Sequence, residues 1–436
     1  MKKINNSVLA LALFVGMANA NAQEKKTLTL DEAVQLGIQN SKNLKIDAAK
    51  IEEATADLLA AKNRQLPELS VSGSYLYLPL KPNVNIKLPG VAGGGPEIHQ
   101  VAYGSANLSI PIYSGGRIKY GIESAKYLVE ASKLSTESDK VAIAYNVAQA
   151  YNNLFKANQS IRVLEENLSA SQKRDETFLK LENNGVIARN DRLKANLQTS
   201  NIELQLLEAK NNYNIANINM DLLLGLPETT EIEVDQNYIE EGTDVRPVDF
   251  YLSEARENRK DLQALDKQRQ AAALGTRSAK AENLPSIAFT GGYVAADIPK
   301  FLTLYNAVNV GVGISYNLSN LWKENSSLKQ SQAREMQLAA NNELLNDNIK
   351  LDVNREYQNT DYSKKRIAVF EKSAEQANEN YRITKNKYDN GLATMTELLD
   401  ADAAQIAANV GVINAKADAA LAYRKLLQTT GTLTIK

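Results

Sequence analysis

Four stretches of the chain alternate between apolar and small polar residues. "ELSVSGSYLYL", from Glu68, puts Leu69, Val71, Tyr75 and Tyr77 on one side and Ser70, Ser72 and Ser74 on the other. "ANLSIPI" aligns Leu108, Ile110 and Ile112, and "SIAFTGGY" aligns Ile287, Phe289 and Tyr293. "VNVGVGISYNL" sets Val308, Val310, Val312, Ile314, Tyr316 and Leu318 against Asn309, Gly311, Gly313, Ser315 and Asn317. A period of two predicts strands with one apolar and one polar face. They are expected at about 68–78, 101–112, 286–296 and 306–318.

A second pattern fills the space between these pairs. From Gly121 to Gly185, and again from Trp322 to Gly391, neither Gly nor Pro interrupts the chain. A helix of roughly 65 residues is about 100 Å long at 1.5 Å per residue, longer than an ordinary domain is wide. Apolar residues keep a three-four spacing, the beat of coiled-coil packing. One seam runs Val147, Ala150, Leu154, Ala157, Ile161, Leu164, Leu168, with Val141, Ala144, Ala148, Tyr151 and Phe155 beside it. Two seams predict neighbours on two sides of the helix. The return helices are expected to pack through Leu193, Leu197, Leu204 and Leu207, and through Leu399, Ala403, Ile406, Val410, Ile413 and Ala417.

The whole pattern occurs twice. The segments from Asp31 and from Asp249 align without a gap at an offset of 218, pairing Asn40 with Asn258 and Tyr75 with Tyr293. Further on the offset is 206: Gly185 pairs with Gly391 and Gly225 with Gly431. The difference falls within 79–100, a Gly/Pro-rich stretch expected to form a long loop outside the cell, with a shorter partner at 297–304. The expected organisation is a signal peptide at 1–22, a first repeat at 23–225, a connector at 226–247 and a second repeat at 248–436. "NNGVIARNDRLKANLQ" and "DNGLATMTELLDADAA" are expected to be the turns, at 183–188 and 389–394, of two long helical hairpins. Gly supplies the backbone freedom there.

Composition narrows the compartment. A basic start, the apolar run "VLALALFVGMA" and small residues up to Ala22 read as an export signal too short to span a bilayer. Its removal would shift the net charge from −1 to about −3. Such balanced charge carries no nucleic-acid footprint. No later stretch is apolar enough for a membrane helix, so membrane insertion must use strands. Four strands cannot close a bacterial barrel, which needs at least about eight, and an open sheet in lipid leaves edge groups unpaired. Either the sheet is not in lipid, or several copies share one barrel, in a number that the pattern leaves open; the export signal, the alternating strands and the helices of about 100 Å favour the second. The chain has no Cys, and its one His, His99, lies in the Gly/Pro loop without metal-spaced or nucleophile partners. No cofactor, metal site or catalytic group is expected.

The ordered set "LTLDEAVQLGIQNSKNLKIDAAK", "LPELSVSGSY", "IPIYSGGR", "NGVIARNDRLKA", "LLLGLP" and "NGLATMTELLDA" resembles the TolC family of outer-membrane efflux proteins over essentially the whole mature chain. The resemblance implies an α+β membrane protein: a homotrimer whose strands form a shared β-barrel in outer-membrane lipid and whose helices form a periplasmic α-barrel. It implies a passive exit duct of a tripartite efflux or type I secretion system, working with a periplasmic adaptor and an inner-membrane transporter. A trimeric coiled-coil stalk or adhesin is the alternative; internal duplication argues against it.

The resemblance also assigns residues. Gly185, Val186, Ile187 and Ala188, with Gly391, Leu392, Ala393 and Thr394, are the expected adaptor contacts at the hairpin tips. Glu397 and Asp400 are expected to ring the periplasmic aperture, with Tyr388, Asp191 and Asn190 as supporting links. Where some relatives carry an Arg two residues after the tip Gly, this chain has Ala393.

Overall fold

A computed structural model describes residues 25–80, 82, 98–235, 238–239, 245–299 and 301–434. The expected signal peptide and most of the 79–100 stretch lie outside the described residues. The elements run β1 (Lys25–Leu28), α1 (Leu30–Asn40), α2 (Lys42–Asn63), β2 (Glu68–Tyr77), β3 (Gln100–Tyr113), α3 (Arg117–Asn183), α4 (Arg189–Leu224) and β4 (Glu231–Val234). They continue α5 (Val248–Asn258), α6 (Lys260–Ala281), β5 (Ser286–Ile298), β6 (Leu302–Ser315), a 3₁₀ turn (Leu318–Leu321), α7 (Ser326–Asp389) and α8 (Met395–Thr430). From α1 to α4 and from α5 to α8 the order is the same: two short helices, two strands, a long helix, a return helix. With 67 residues, α3 is about 100 Å long. None of the described helices is long and apolar enough to cross a membrane.

The chain divides into two compact units. The first holds residues 1–46, 136–260 and 346–436, and the second 47–135 and 261–345.

In the second unit the strands form one antiparallel sheet in the order β2-β3-β5-β6. Register shows that all four share their faces. Leu69 pairs with Leu108, Leu108 with Gly291, and Gly291 with Val310. In the next row Ser70 pairs with Asn107, Asn107 with Gly292, and Gly292 with Asn309. The apolar face stays open: Val71 is 79% exposed and Ile314 73%. The opposite face carries a small polar network, in which Ser72 and Ser105 hydroxyls lie 3.0 Å apart and Asn107 Nδ2 donates to Ser105 Oγ at 3.2 Å. Hydrogen bonding in β6 begins at Leu302, earlier than the alternation suggests. A register shift opposite Val294–Ala296 and a positive φ of 56° at Asn306 break the period there, so the pattern is legible only beyond it.

The core of the first unit surrounds Tyr151. Val147, Leu154 and Phe155 of α3 pack with Met220 and Leu224 of α4, Ile232 of β4 and Val34 of α1. The Tyr151 hydroxyl donates to the Leu28 carbonyl at 2.8 Å and accepts from the Asp235 amide at 2.7 Å. It thereby pins the ends of β1 and β4, which pair in parallel. Burial pushes the phenol up to about 12. Both expected α3 seams are represented in this core, but the return helix α4 differs. Leu193, Leu197, Leu204 and Leu207 are 48%, 62%, 56% and 61% exposed. Ala195, Ile202, Leu206 and Ala209 face inward instead. In α8, Ile406 and Ala417 are buried while Ala403 is exposed.

Candidate functional site

Both hairpin turns lie in the first unit, and both close in the same way. At the first, the Gly185 amide donates to Glu182 O at 2.9 Å and the Val186 amide to Leu181 O at 2.9 Å. At the second, Gly391 donates to Tyr388 O at 2.9 Å and Leu392 to Lys387 O at 2.8 Å. This pair of bonds is the Schellman ending, which needs a left-handed residue just past the helix. Gly185 and Gly391 supply it, with φ of 73° and 71°.

The restarts differ. Thr394 caps α8 through a reciprocal box: its Oγ1 accepts from the Glu397 amide at 3.3 Å, and its own amide donates to Glu397 Oε2 at 2.7 Å. Ala188 holds the equivalent place before α4 and offers no side-chain cap. Beyond the caps both turns present aliphatic side chains to solvent, with Val186 67% and Leu392 77% exposed. Ala188 is also exposed and Ala393 half-buried.

A small core lies beneath the tips. Phe178, Ala195, Met395 and Leu398 are buried, with Ile187, Tyr381, Tyr388 and Leu399 packed on them. It draws residues from all four long helices, so the two hairpins meet here. Tyr388 sits edge-on against Phe178, with centroids 5.9 Å apart. Burial raises its phenol pKa first, then the charges of Asp191 and Asp389. Asp191 pairs with Lys194 at 3.6 Å, and Lys194 donates to Thr396 Oγ1 at 3.4 Å. Asn190 is exposed at the start of α4.

Glu397 and Asp400 are both exposed, three apart on α8. Glu397 is folded back onto the turn. The Thr394 amide and then its hydroxyl hold the carboxyl below its usual pKa, with Lys387 adding to this. In one chain it is therefore a helix cap. His99 is exposed, and its carbonyl accepts from the Leu78 amide at 2.8 Å. Among the described residues no group of His, Cys, Asp or Glu could hold a metal ion.

Deeper in the hairpins lies an ion pair that the sequence reading missed. Arg174 Nη2 meets Asp402 Oδ2 at 2.6 Å, and Arg174 also reaches Tyr381 OH at 3.4 Å. The signal was present: Leu398, Asp402 and Ile406 are spaced by four, which places a carboxylate in a row of core positions.

The family model described as outer membrane efflux protein matches residues 33–226 and 251–432. The chain belongs to the outer membrane efflux protein family. The protein is accordingly an outer-membrane exit duct with a helical tunnel in the periplasm; it conducts and does not catalyse. Solved structures share the fold. The outer membrane protein VceC of Vibrio cholerae has a TM-score of 0.77 at 18% identity, over 92% of this chain and 96% of that one. A membrane protein of Pseudomonas aeruginosa has a TM-score of 0.78 at 17% identity, over 92% and 90%. The CmeC outer membrane channel of Campylobacter jejuni has a TM-score of 0.74 at 18% identity, over 93% and 86%. A sequence search of curated proteins gives no match.

Proposed function

We propose that three copies of this chain assemble one duct, each contributing its four strands to a shared barrel. The observation that carries the reading is the free sheet. Its order leaves β2 and β6 as edges, and its apolar face is open along strands of 10 to 14 residues. Outer-membrane strands need about 9–11 residues, and lipid tolerates no open edge. Pairing β6 of one copy with β2 of the next closes the edges and leaves the apolar face to lipid. The small polar face then lines a wet lumen. The exposed leucines of α4 give the periplasmic helices a matching contact between copies. The shared order of elements supports repeat units at 23–225 and 248–436, joined by 226–247.

The tips take the adaptor in this reading. Gly185 to Ala188 and Gly391 to Thr394 form two turns with matched glycine endings and outward aliphatic groups, suited to a helical hairpin from a partner. An inner-membrane transporter supplies the energy, which a duct lacks. Glu397 and Asp400, repeated by threefold symmetry, would ring the mouth with carboxylates. Tyr388, Asp191 and Asn190 support it from the facing helices.

Cross-linking of detergent extracts should give a three-chain species in the outer-membrane fraction, and a soluble periplasmic monomer would overturn the trimer. In planar bilayers a trivalent cation should block current from the periplasmic side. Glu397→Ala with Asp400→Ala should abolish the block; an unchanged block would place the constriction elsewhere.

A further inference from the structure

Where β3 ends and α3 begins, a cleft of about 890 Å³ lies within the second unit. Its sheet wall comes from Glu68 of β2, Ser109 and Pro111 of β3, and Ser286 and Ala288 of β5. Register places these five on one face. Glu68 pairs with Ser109, Pro111 with Ala288, and Ser109 stands two residues beyond Asn107 of the small polar network. Ser286 stands two residues before Ala288. The cleft therefore lies on the polar face, which lines the lumen of the duct proposed above.

Helix ends bring charge to the same cleft. Arg64 follows α2, Arg117 is the first residue of α3, and Glu282 follows α6. These three and Glu68 are exposed. Two cations and two anions thus line one space. Among the described residues no ion pair or side-chain hydrogen bond engages Arg64, Glu68 or Arg117. Ser327 Oγ donates to Glu282 Oε1 at 3.5 Å. The dipole of α2 favours a cation at its C-terminal end, which accounts for Arg64 without a ligand. Arg117 is different. It stands at the positive end of α3, whose first turn has no acidic residue, and so costs helix stability. Opposite charges that share a cleft without pairing leave both signs open to a ligand.

We propose that this cleft is a cargo subsite in the duct wall, for small organic molecules that carry both a carboxylate and an amine. A ligand of one sign meets repulsion as well as attraction from such a balanced set. A ligand with both signs offers its carboxylate to Arg64 and Arg117 and its ammonium to Glu68 and Glu282. A guanidinium binds a carboxylate through two parallel N–H groups, which fixes orientation as well as charge. Leu66, Pro111 and Ile118 add apolar wall for the body of the molecule. The volume is that of a site for a small organic ligand. This inference rests on the polar face lining the lumen, and its test separates the two.

The probe is the tripeptide phenylalanyl-glycyl-glycine in three forms: free termini, N-acetylated and C-amidated. They differ little in size and carry both charges, the negative one or the positive one. Equilibrium dialysis against the assembled protein in detergent reads the cleft, and current in planar bilayers reads its place in the lumen. The free peptide should bind about tenfold tighter than either capped form, the worth of one charged hydrogen-bonded contact, and should block current in the same order. Arg64→Gln with Arg117→Gln should remove its advantage over the amidated form. Glu68→Gln with Glu282→Gln should remove its advantage over the acetylated form. All six positions of charge change lie on exposed side chains or peptide termini, so folding is not at stake. Equal binding of the three forms, or an advantage that survives both double variants, overturns the subsite whatever the current does. Charge-selective binding without any effect on current overturns instead the reading that this face lines the lumen.

Discussion

Arg174 and Asp402 are joined at 2.6 Å, with only 15% and 7% of their side chains exposed. The pair ties α3 of the first hairpin to α8 of the second, and Tyr381 brings in α7. Burial pulls the Arg174 pKa down, but the hydrogen bond and charge of Asp402 outweigh it and leave the guanidinium above its usual value. A second station links the same three helices: Asp418 of α8 takes Lys156 of α3 at 2.8 Å and Arg366 of α7 at 3.3 Å. That station is more open, with side chains 27% to 34% exposed.

The two stations should therefore respond differently to loss of a charge. Asp402→Ala leaves a buried cation and should cost about 3 kcal/mol. Asp418→Ala leaves solvated cations and should cost under about 1 kcal/mol. Amide exchange across α3 and α8 would read both. Replacing the pair by Arg174→Met with Asp402→Leu should restore most of the protection. If the double variant is as labile as the single one, the pair supplies more than charge balance.

The fate of these residues shows what the sequence could carry. The long helices were legible because neither Gly nor Pro occurs between Gly121 and Gly185 or between Trp322 and Gly391, and the turns because Gly185 and Gly391 recur in the same context. Strand pairs were legible from their alternation until the irregularity at Asn306 broke it. The leucine row of α4 was legible as a seam, but its partner was not: Leu197 and Leu204 face away from their own chain. The β1–β4 pair was missed, since four residues give no readable period. Glu397 was read as an aperture acid from its place after Gly391. Its cap geometry depends on Thr394, three residues back, a box that the spacing alone could have indicated.

Asp221 gives the first unit a pH dependence. It is fully buried on α4, with Oδ2 accepting from Asn217 Nδ2 at 3.0 Å and no hydrogen bond to Oδ1. Burial, then the charge of Glu228, raises its carboxyl to about 6. A carboxyl raised in the folded state binds a proton there that the unfolded chain has already lost. Stability should fall as pH rises from 3.8, the ordinary value of an Asp carboxyl, to about 6, then level off. Asp221→Asn should flatten the melting temperature over that window and raise it above pH 6 relative to native. An identical pH profile in both proteins would place the titration elsewhere.

The tip glycines separate backbone strain from packing. A Cβ at Gly185 or Gly391 meets nothing within 4 Å, so only the positive φ resists substitution. Gly391→Ala should cost about 1 kcal/mol, and Gly391→Asn less, since Asn tolerates the left-handed region. Ala188→Ser should add the missing cap and gain about 0.5–1 kcal/mol. Exchange rates of tip amides would rank the variants, and a fall in stability with Ala188→Ser would mean the restart of α4 is constrained by other contacts.

The leucine row of α4 tests the assembly directly. Leu197 and Leu204 are 62% and 56% exposed, while Ile202 and Leu206 of the same helix form the inner core with Leu164 of α3. Changing the outer row should spare the folded chain and remove contacts between copies. Covering a leucine is worth about 1.5–3 kcal/mol, and an acidic residue in its place adds a desolvation cost. Leu197→Asp with Leu204→Asp should therefore lower the temperature at which the cross-linked three-chain species disappears, with native helix content by circular dichroism. Ile202→Asp should instead reduce helix content itself. If the outer pair leaves assembly unchanged, copies do not meet along this face, and the exposed α7 row of Leu344, Leu351, Tyr362 and Val369 becomes the next contact to test.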